Sequence, residues 1–557
     1  MTTTPRTPTA IDQVAEEWVD DLVLLAPTLG TYIGRNEAND RYADLSPEGQ
    51  EHYASEVRRT LTKLEALQPV DAIDEVTKAD LGSELRLELE LHEAQWHLRD
   101  LNVIASAPQD IRSVFDLMPT ASPDDWDVIA MRLNAIPAAL RGYTATLREG
   151  IARGVTPARR QAVEVATQIE RYTADDGFFA AFVAEATPAE GELPASLART
   201  LADNASAARV AYDELRTFLA TTLADAADEK DAVGRDLYAL NSRRFLGATI
   251  DLDETYEWGI EELRRMVDEQ TAIAHEILAG ASVEEAVAHL EADPSRKLHG
   301  TDALQRWMQE TSDRAVSELG ATHFDIPEEI RTLECMIAPT QEGGIYYTGP
   351  TDDFSRPGRM WWSVPEGVTE FDTWRELTTV YHEGVPGHHL QIAQAVYNRA
   401  ELNSWRRLLA GTSGHAEGWA LYAERLMQQL GYLDDPADRL GMLDGQRMRA
   451  ARVVLDIGVH LRKPRLDGQG TWDAEYALDF MRKNVNMSDE FVQFEVNRYL
   501  GWPGQAPSYK VGQRIWEQVR DAYQVRQGDA FDVKDFHKRA LDMGGVGLDT
   551  LRTALLR

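Results

Sequence analysis

The chain has 557 residues, 43% of them hydrophobic and thirteen of them tryptophan, ample material for a large buried core. Its 93 acidic against 57 basic residues give a net charge of −36, a field that disfavours nucleic acid and anionic membrane surfaces as partners. A single cysteine, Cys335, excludes an intrachain disulfide framework. The N-terminal residues before Ala10 carry no apolar segment of a secretory signal, and no apolar run approaches the roughly eighteen residues a membrane span needs. A cytoplasmic protein is therefore expected.

From Ala10 to about Ile330 the pattern is helical almost throughout. Ile11, Val14, Trp18, Leu22 and Leu25 recur at spacings of three and four, the mark of an amphipathic helix. Ser46-Pro47 opens another, with Ser as N-cap and Pro at the first helical position. A long charged, leucine-rich stretch covers Lys78–Leu101, and further helices are predicted at 123–152, 156–171, 195–223, 229–244, 254–280, 283–292 and 301–318. Turn signals at Gln68-Pro69, Ser122-Pro123, Leu193-Pro194 and Asp293-Pro294 punctuate the series without any repeat or low-complexity linker. The fold class is mostly α. Residues 1–330 form a helical N-terminal portion and 331–557 a portion bearing the chemistry, within one continuous domain.

Between 331 and 365 short β-prone runs replace helix: Leu333–Ala338, Gly344–Tyr347 and Arg359–Val364. These predict a small antiparallel sheet. One of its edges is a candidate for pairing with an extended peptide, with Trp361 and Trp362 either facing substrate or straddling the sheet as core and surface. Thr373-x-x-Glu376 then reads as a capping box opening the next helix.

That helix runs into Tyr381-His382-Glu383-Gly384-Val385-Pro386-Gly387-His388-His389-Leu390-Gln391, which concentrates three histidines and a carboxylate. Zinc takes neutral imidazole and carboxylate ligands, and a hydrolytic site adds a general base beside the bound water. The usual helical form, H-E-x-x-H, puts both histidines on one face. Here positions 382 and 388 would point about 120° apart on a straight helix. Pro386 removes a backbone donor, so a bulge, kink or unwound turn is expected between Glu383 and His388. His388 and His389 both stand as partners for His382, the other being left as a substrate contact or supporting donor.

Downstream, Ala416, Trp419, Ala420, Ala423, Leu426 and Leu430 form one apolar stripe with Glu417 at its border and Gly418 leaving room for a close helix. A carboxylate there needs a partner, either an arginine or a metal, and Glu424 lies two turns further on. Arg452, Asp456 and His460 follow at i, i+4 and i+8, so Asp456 can hold both the guanidinium and the imidazole. After the Trp502-Pro-Gly-Gln turn, Tyr509 falls in the first turn of a helix, where a phenol can donate to a developing oxyanion.

His-Glu-Gly-Val-Pro-Gly-His-His-Leu-Gln (382–391), Glu-Gly-Trp-Ala-Leu-Tyr-Ala-Glu (417–424) and Pro-Gly-Gln-Ala-Pro-Ser-Tyr-Lys (503–510) resemble the signatures of the bacterial domain-of-unknown-function 885 family. The resemblance covers nearly the whole chain. That family is in turn similar to the helical zincin peptidases, among them angiotensin-converting enzyme, thimet oligopeptidase and the Taq-type carboxypeptidases. It implies a two-lobed helical body with a deep central cleft. Carried over residue by residue, it makes His382 and His388 metal ligands, Glu417 the third ligand and Glu383 the general base. The two-residue insertion between the histidines departs from the zincin motif.

The expected function is a zinc hydrolase, one ion per chain, acting on short peptides as a carboxypeptidase or oligopeptidase. Tyr509 and His460 would stabilise the oxyanion, and Arg359 or Lys510 would clamp a terminal carboxylate. The competing readings are a metal-dependent enzyme of a small non-peptide metabolite and a binding protein without turnover.

Overall fold

The computed structural model describes residues 6–338 and 344–557. Met1–Pro5, read above for a signal, and 339–343, inside the β-prone region, lie outside the described residues. The chain is 68% helical. The helices begin where local chemistry starts them. The Ser46 hydroxyl accepts from the Gly49 amide at 3.2 Å, with Pro47 at the first position of Pro47–Glu65. Ser122 and Asp125 form a capping box at the head of Pro123–Arg153. The segments predicted at 195–223, 254–280 and 301–318 appear as Ala195–Phe218 with a π-turn running to Leu223, as Leu252–Ile277, and as Thr301–Thr322.

Two large cores define two lobes. One is built from residues between Leu101 and Ala224, and the other unites residues from Tyr238 to Leu555. A smaller core joins the first helices to Trp405. In the larger lobe Leu252–Ile277 lies along Pro436–His460, so helices before residue 330 share a core with those after it. Cavities of about 500, 350 and 330 Å³ lie where these bodies meet, and all three reach Arg244. Among the described residues no helix is long and apolar enough to cross a membrane.

Among the described residues there are five strands, all short. β1 (Lys297–His299) pairs antiparallel with β5 (Glu370–Asp372). β2 (Leu333–Ile337), β3 (Ile345–Thr348) and β4 (Gly358–Trp362) form a sheet in the order β2-β4-β3. β3 pairs antiparallel with β4 as expected, whereas β2 runs parallel to it. Alternation along β4 buries Met360 and Trp362, leaving Trp361 half-buried on the opposite face with its indole N–H on Thr348 Oγ1 at 3.0 Å. The two tryptophans therefore straddle a central strand, and β4 offers no edge to a peptide. The outer edge of β2 is closed as well, because Gln305 and Gln309 of Thr301–Thr322 bond the backbone of Leu333 and Cys335 at 2.8–3.0 Å.

The Thr373/Glu376 capping box does not form. Asp372 occupies the cap position without a side-chain bond, and the Thr373 hydroxyl is drawn instead to the Arg296 carbonyl at 3.0 Å.

Candidate metal centre

The helix Thr373–Glu383 stops one residue after His382, and a second, His388–Tyr397, starts at His388. Gly384-Val385-Pro386-Gly387 forms the link, with a cis bond before Pro386. It is a close-fitting turn. The Gly387 amide donates to the Tyr381 carbonyl at 3.0 Å and the His389 amide to the Gly384 carbonyl at 3.2 Å. A Cβ on Gly387 would stand 1.9 Å from the His382 carbonyl oxygen, so only glycine fits. The Trp419 indole, buried on the helix Ser413–Gln429, donates to the Pro386 and Gly387 carbonyls at 2.8 and 3.2 Å. These bonds satisfy polar groups that the broken helix exposes, as buried carbonyls require.

The break turns two histidines that a straight helix would splay toward one point. The His382 and His388 rings stand perpendicular with centroids 4.8 Å apart, and His382, Glu383 and His388 each offer a ligand atom within 4.8 Å of the others. Glu417 Oε2 lies 3.3 Å from His382 Nε2 and 3.7 Å from His388 Nε2. That oxygen is buried and finds no well-aligned hydrogen-bond partner. His389 points elsewhere: Nε2 donates to the Ile330 carbonyl at 2.7 Å, and Nδ1 accepts from the Tyr347 hydroxyl at 2.9 Å. It ties the second helix to the sheet, so His388, not His389, is the histidine that meets His382.

Glycine also sets Glu417. A Cβ on Gly418 would meet the Gly512 backbone at 2.4 Å, and one on Gly512 would meet the Gly414 carbonyl at 2.2 Å. The helices Ser413–Gln429 and Ser508–Gln527 thus cross in backbone contact, bringing Tyr509 within electrostatic reach of Glu417. The Tyr509 hydroxyl has no hydrogen-bond partner among the described residues, and burial, with the Glu417 charge, raises its pKa.

The two carboxylates are driven apart in acidity. Burial pushes Glu383 up to about 8. Burial acts on Glu417 in the same sense, but the His382 ring 3.3 Å away and the charge of His388 reverse it, bringing Glu417 down to about 2. Burial, aided by the charges of His382 and Arg449 and opposed by Glu417, takes His388 down to about 4, which keeps the ring neutral with one nitrogen lone pair free. Burial also opposes charge on His382, yet Glu417 and Glu424 outweigh it and lift the ring to about 10. One carboxylate stays ionised and the other holds a proton near neutral pH, the division that ligand and proton-transfer roles call for.

Behind His382 runs a chain of buried polar groups. Its Nδ1 donates to Glu424 Oε1 at 2.8 Å, and Glu424 Oε2 accepts from Gln446 Nε2 at 3.0 Å. Gln446 Oε1 accepts from Lys510 Nζ at 2.6 Å, and Lys510 pairs with Glu262 at 3.0 Å. In the neutral ring this order keeps the proton on Nδ1 and turns the Nε2 lone pair toward Glu417. Glu424 therefore supports His382, and Lys510 is a link in that support, not a free clamp.

Other residues singled out from sequence lie apart. Arg452 does not reach Asp456; it pairs with Glu495 at 2.7 Å and Tyr499 Oη at 2.6 Å, with its guanidinium 5.1 Å from the Tyr509 ring. Asp456 accepts from the Tyr238 hydroxyl and the Gly504 amide at 2.7 and 2.9 Å. His460 Nε2 donates to the Tyr499 carbonyl at 3.0 Å, and the ring stacks on Tyr238. None of its contacts reaches His382, Glu383, His388 or Glu417. Arg359 is held by Glu334 at 2.6 Å, and Trp361 and Trp362 belong to the sheet. Sequence reasoning missed Gln446, which carried no signal, and Arg449. The Arg449 guanidinium folds back over Gly445, where a Cβ would stand 2.6 Å from Nη1, and lies 5.7 Å from the Tyr509 ring. Its charge acts on Glu383, His388, Glu417 and Glu424.

Fold and site together define a two-lobed, mostly helical protein with a histidine–carboxylate cluster at a broken helix. The chain belongs to the family described as "Bacterial protein of unknown function (DUF885)", whose model matches residues 27–555. Two solved structures share the fold from end to end. One, a candidate lipoprotein from Colwellia psychrerythraea, is 20% identical with a TM-score of 0.83, the match covering 98% of this chain and 99% of that one. The other, a candidate lipoprotein of unknown function from Shewanella oneidensis, is 18% identical with a TM-score of 0.76, over 99% and 100% of the two chains. No curated protein matches.

Proposed function

We propose that this protein is a zinc-dependent hydrolase of short peptides. The observation that carries the reading is the convergence of His382, His388 and Glu417 on one point, with Glu383 beside them. Two imidazoles and a carboxylate are a catalytic zinc set that leaves a fourth position open, and the orphaned Glu417 Oε2 is suited to a cation. Bound there, zinc would acidify a water and polarise the scissile carbonyl.

The residues of the chain do the rest. His388 presents a neutral ring, and His382 is held in one tautomer by Glu424. Glu383 takes the proton of the attacking water and delivers it to the departing amine nitrogen. With its pKa pushed up to about 8 by burial, Glu383 in its ionised form is a strong base for the first transfer, and the acid it then becomes serves the second. Tyr509, close to Glu417 and with an uncommitted hydroxyl, donates to the oxyanion. His460 has no part in this reading, because its ring is spent on the Tyr499 carbonyl and Tyr238.

The test is metal analysis with digestion of a peptide library by the wild type and Glu383→Gln. The expected result is one zinc per chain in both and a rate about 10²–10⁴-fold lower in the variant. Undiminished turnover by Glu383→Gln would refute the role, and a chain that takes up no zinc would refute the reading.

A further inference from the structure

We propose that Arg449 binds the free C-terminal carboxylate of the peptide substrate, which makes the enzyme a carboxypeptidase. This deepens the zinc-peptidase reading above and rests on it. Among the described residues Arg449 has no carboxylate within the 4.0 Å of an ion pair, although its charge acts on Glu383, Glu417 and Glu424. The neighbouring cations are engaged. Arg452 and Arg498 share Glu495 at 2.7 and 3.1 Å, Arg425 pairs with Glu269 at 2.9 Å, and Lys510 with Glu262 at 3.0 Å. One guanidinium beside the cluster is left uncommitted.

It is also built in place. Gly445, one turn earlier on Pro436–His460, leaves the notch into which Nη1 folds, and the Tyr509 ring flanks the guanidinium at 5.7 Å. Its Nε is buried without a partner. A fixed, planar, unpaired guanidinium matches a carboxylate through two parallel hydrogen bonds, a fit that an ammonium lacks. Arg449 and Tyr509 are adjacent, and Tyr509 lies one turn before Gly512, whose backbone meets that of Gly418 next to Glu417. A terminal carboxylate on Arg449 therefore brings the last peptide bond of the substrate to the cluster. Hydrolysis then adds the water hydroxyl to the carbonyl carbon and a proton to the nitrogen of the last residue, releasing it as a free amino acid.

The test compares an N-acetylated tripeptide with its C-terminal amide, measuring binding to zinc-loaded Glu383→Gln protein and kcat/KM with the active protein, each with Arg449, Arg449→Ala and Arg449→Lys. The expected result is a preference for the free acid of about 10–100-fold, the usual worth of a charged hydrogen-bonded pair. Arg449→Ala should bring the acid-to-amide ratio close to one at unchanged zinc content, and Arg449→Lys should keep part of it. A residue that merely balances charge or stabilises the oxyanion would lower acid and amide alike, so a ratio that does not move overturns the proposal. So does a wild type that shows no preference. Zinc content reports separately on the parent reading, and the same binding ratio measured on metal-free protein is available whether or not that reading survives.

Discussion

Replacing Glu424 perturbs the account at one remove from the metal. Glu424 is 2% exposed and accepts two hydrogen bonds, from His382 Nδ1 at 2.8 Å and Gln446 Nε2 at 3.0 Å. Gln446 cannot turn its amide over without losing Lys510, which its oxygen holds at 2.6 Å. In Glu424→Gln the new NH2 must therefore face a donor on one side. Facing His382, it drives the ring to the other tautomer, with a proton on the Nε2 that points at Glu417. Loss of such a supporting partner typically weakens metal binding about 10–100-fold, or about 1.4–2.8 kcal/mol. Glu424→Ala loses the same orientation and also strands two buried donors, at about 1–3 kcal/mol each in folding stability. Competition with a chromophoric zinc chelator reads the first effect, and urea unfolding with metal removed reads the second. Zinc binding by Glu424→Gln as tight as in the wild type would refute the reasoning.

Gly387→Ala sets a Cβ 1.9 Å from the His382 carbonyl oxygen and 2.5 Å from that of Tyr381, so the link must move and zinc retention should be lost. Far-ultraviolet circular dichroism and metal analysis of the same sample check this, the helical signal staying near wild type. Tyr509→Phe is expected to lower kcat about 10²-fold or more with little change in zinc content, as loss of an oxyanion donor does; steady-state kinetics decide. Asp456 bears on stability: burial pushes it up to about 7, although Tyr238 and Gly504 donate to it. Its folded-state pKa lies above the unfolded one, so stability falls as pH rises between about 4 and 7, by up to roughly 1.4 kcal/mol per unit. Asp456→Asn, which mimics the protonated acid, should flatten that slope, and thermal melts at pH 5 and pH 8 test it.

The helical body was legible because its signals are local. Ser46-Pro47, Ser122-Pro123 and the stripes of Ile11–Leu25 each determine an element without help from the rest of the chain. The break at Gly384–Gly387 was legible for the same reason: a proline and two glycines inside a helical pattern leave few alternatives. What the sequence withheld was partnership. Arg452, Asp456 and His460 share the spacing of a ladder, but Arg452 goes to Glu495, and His460, though its Nε2 stands 3.8 Å from Asp456, gives its hydrogen bond to the Tyr499 carbonyl while Asp456 accepts from Tyr238. Thr373 likewise lost its expected bond to a carbonyl 77 positions away. His388 and His389 are consecutive and chemically identical, so only the path of the link and the pull of Tyr347 and Ile330 on His389 separate them. Gln446 and Arg449 lie in no motif, and their places depend on a helix crossing.

The central claim, zinc held by His382, His388 and Glu417, is tested most directly by anomalous scattering at the zinc edge from crystals of zinc-loaded protein. The account predicts one strong peak about 2.0–2.2 Å from His382 Nε2, from a His388 ring nitrogen and from a Glu417 carboxylate oxygen. It also predicts that Glu383 stands clear of the ion, free to move a proton. A peak coordinated by His389, or no peak between these side chains, would contradict it.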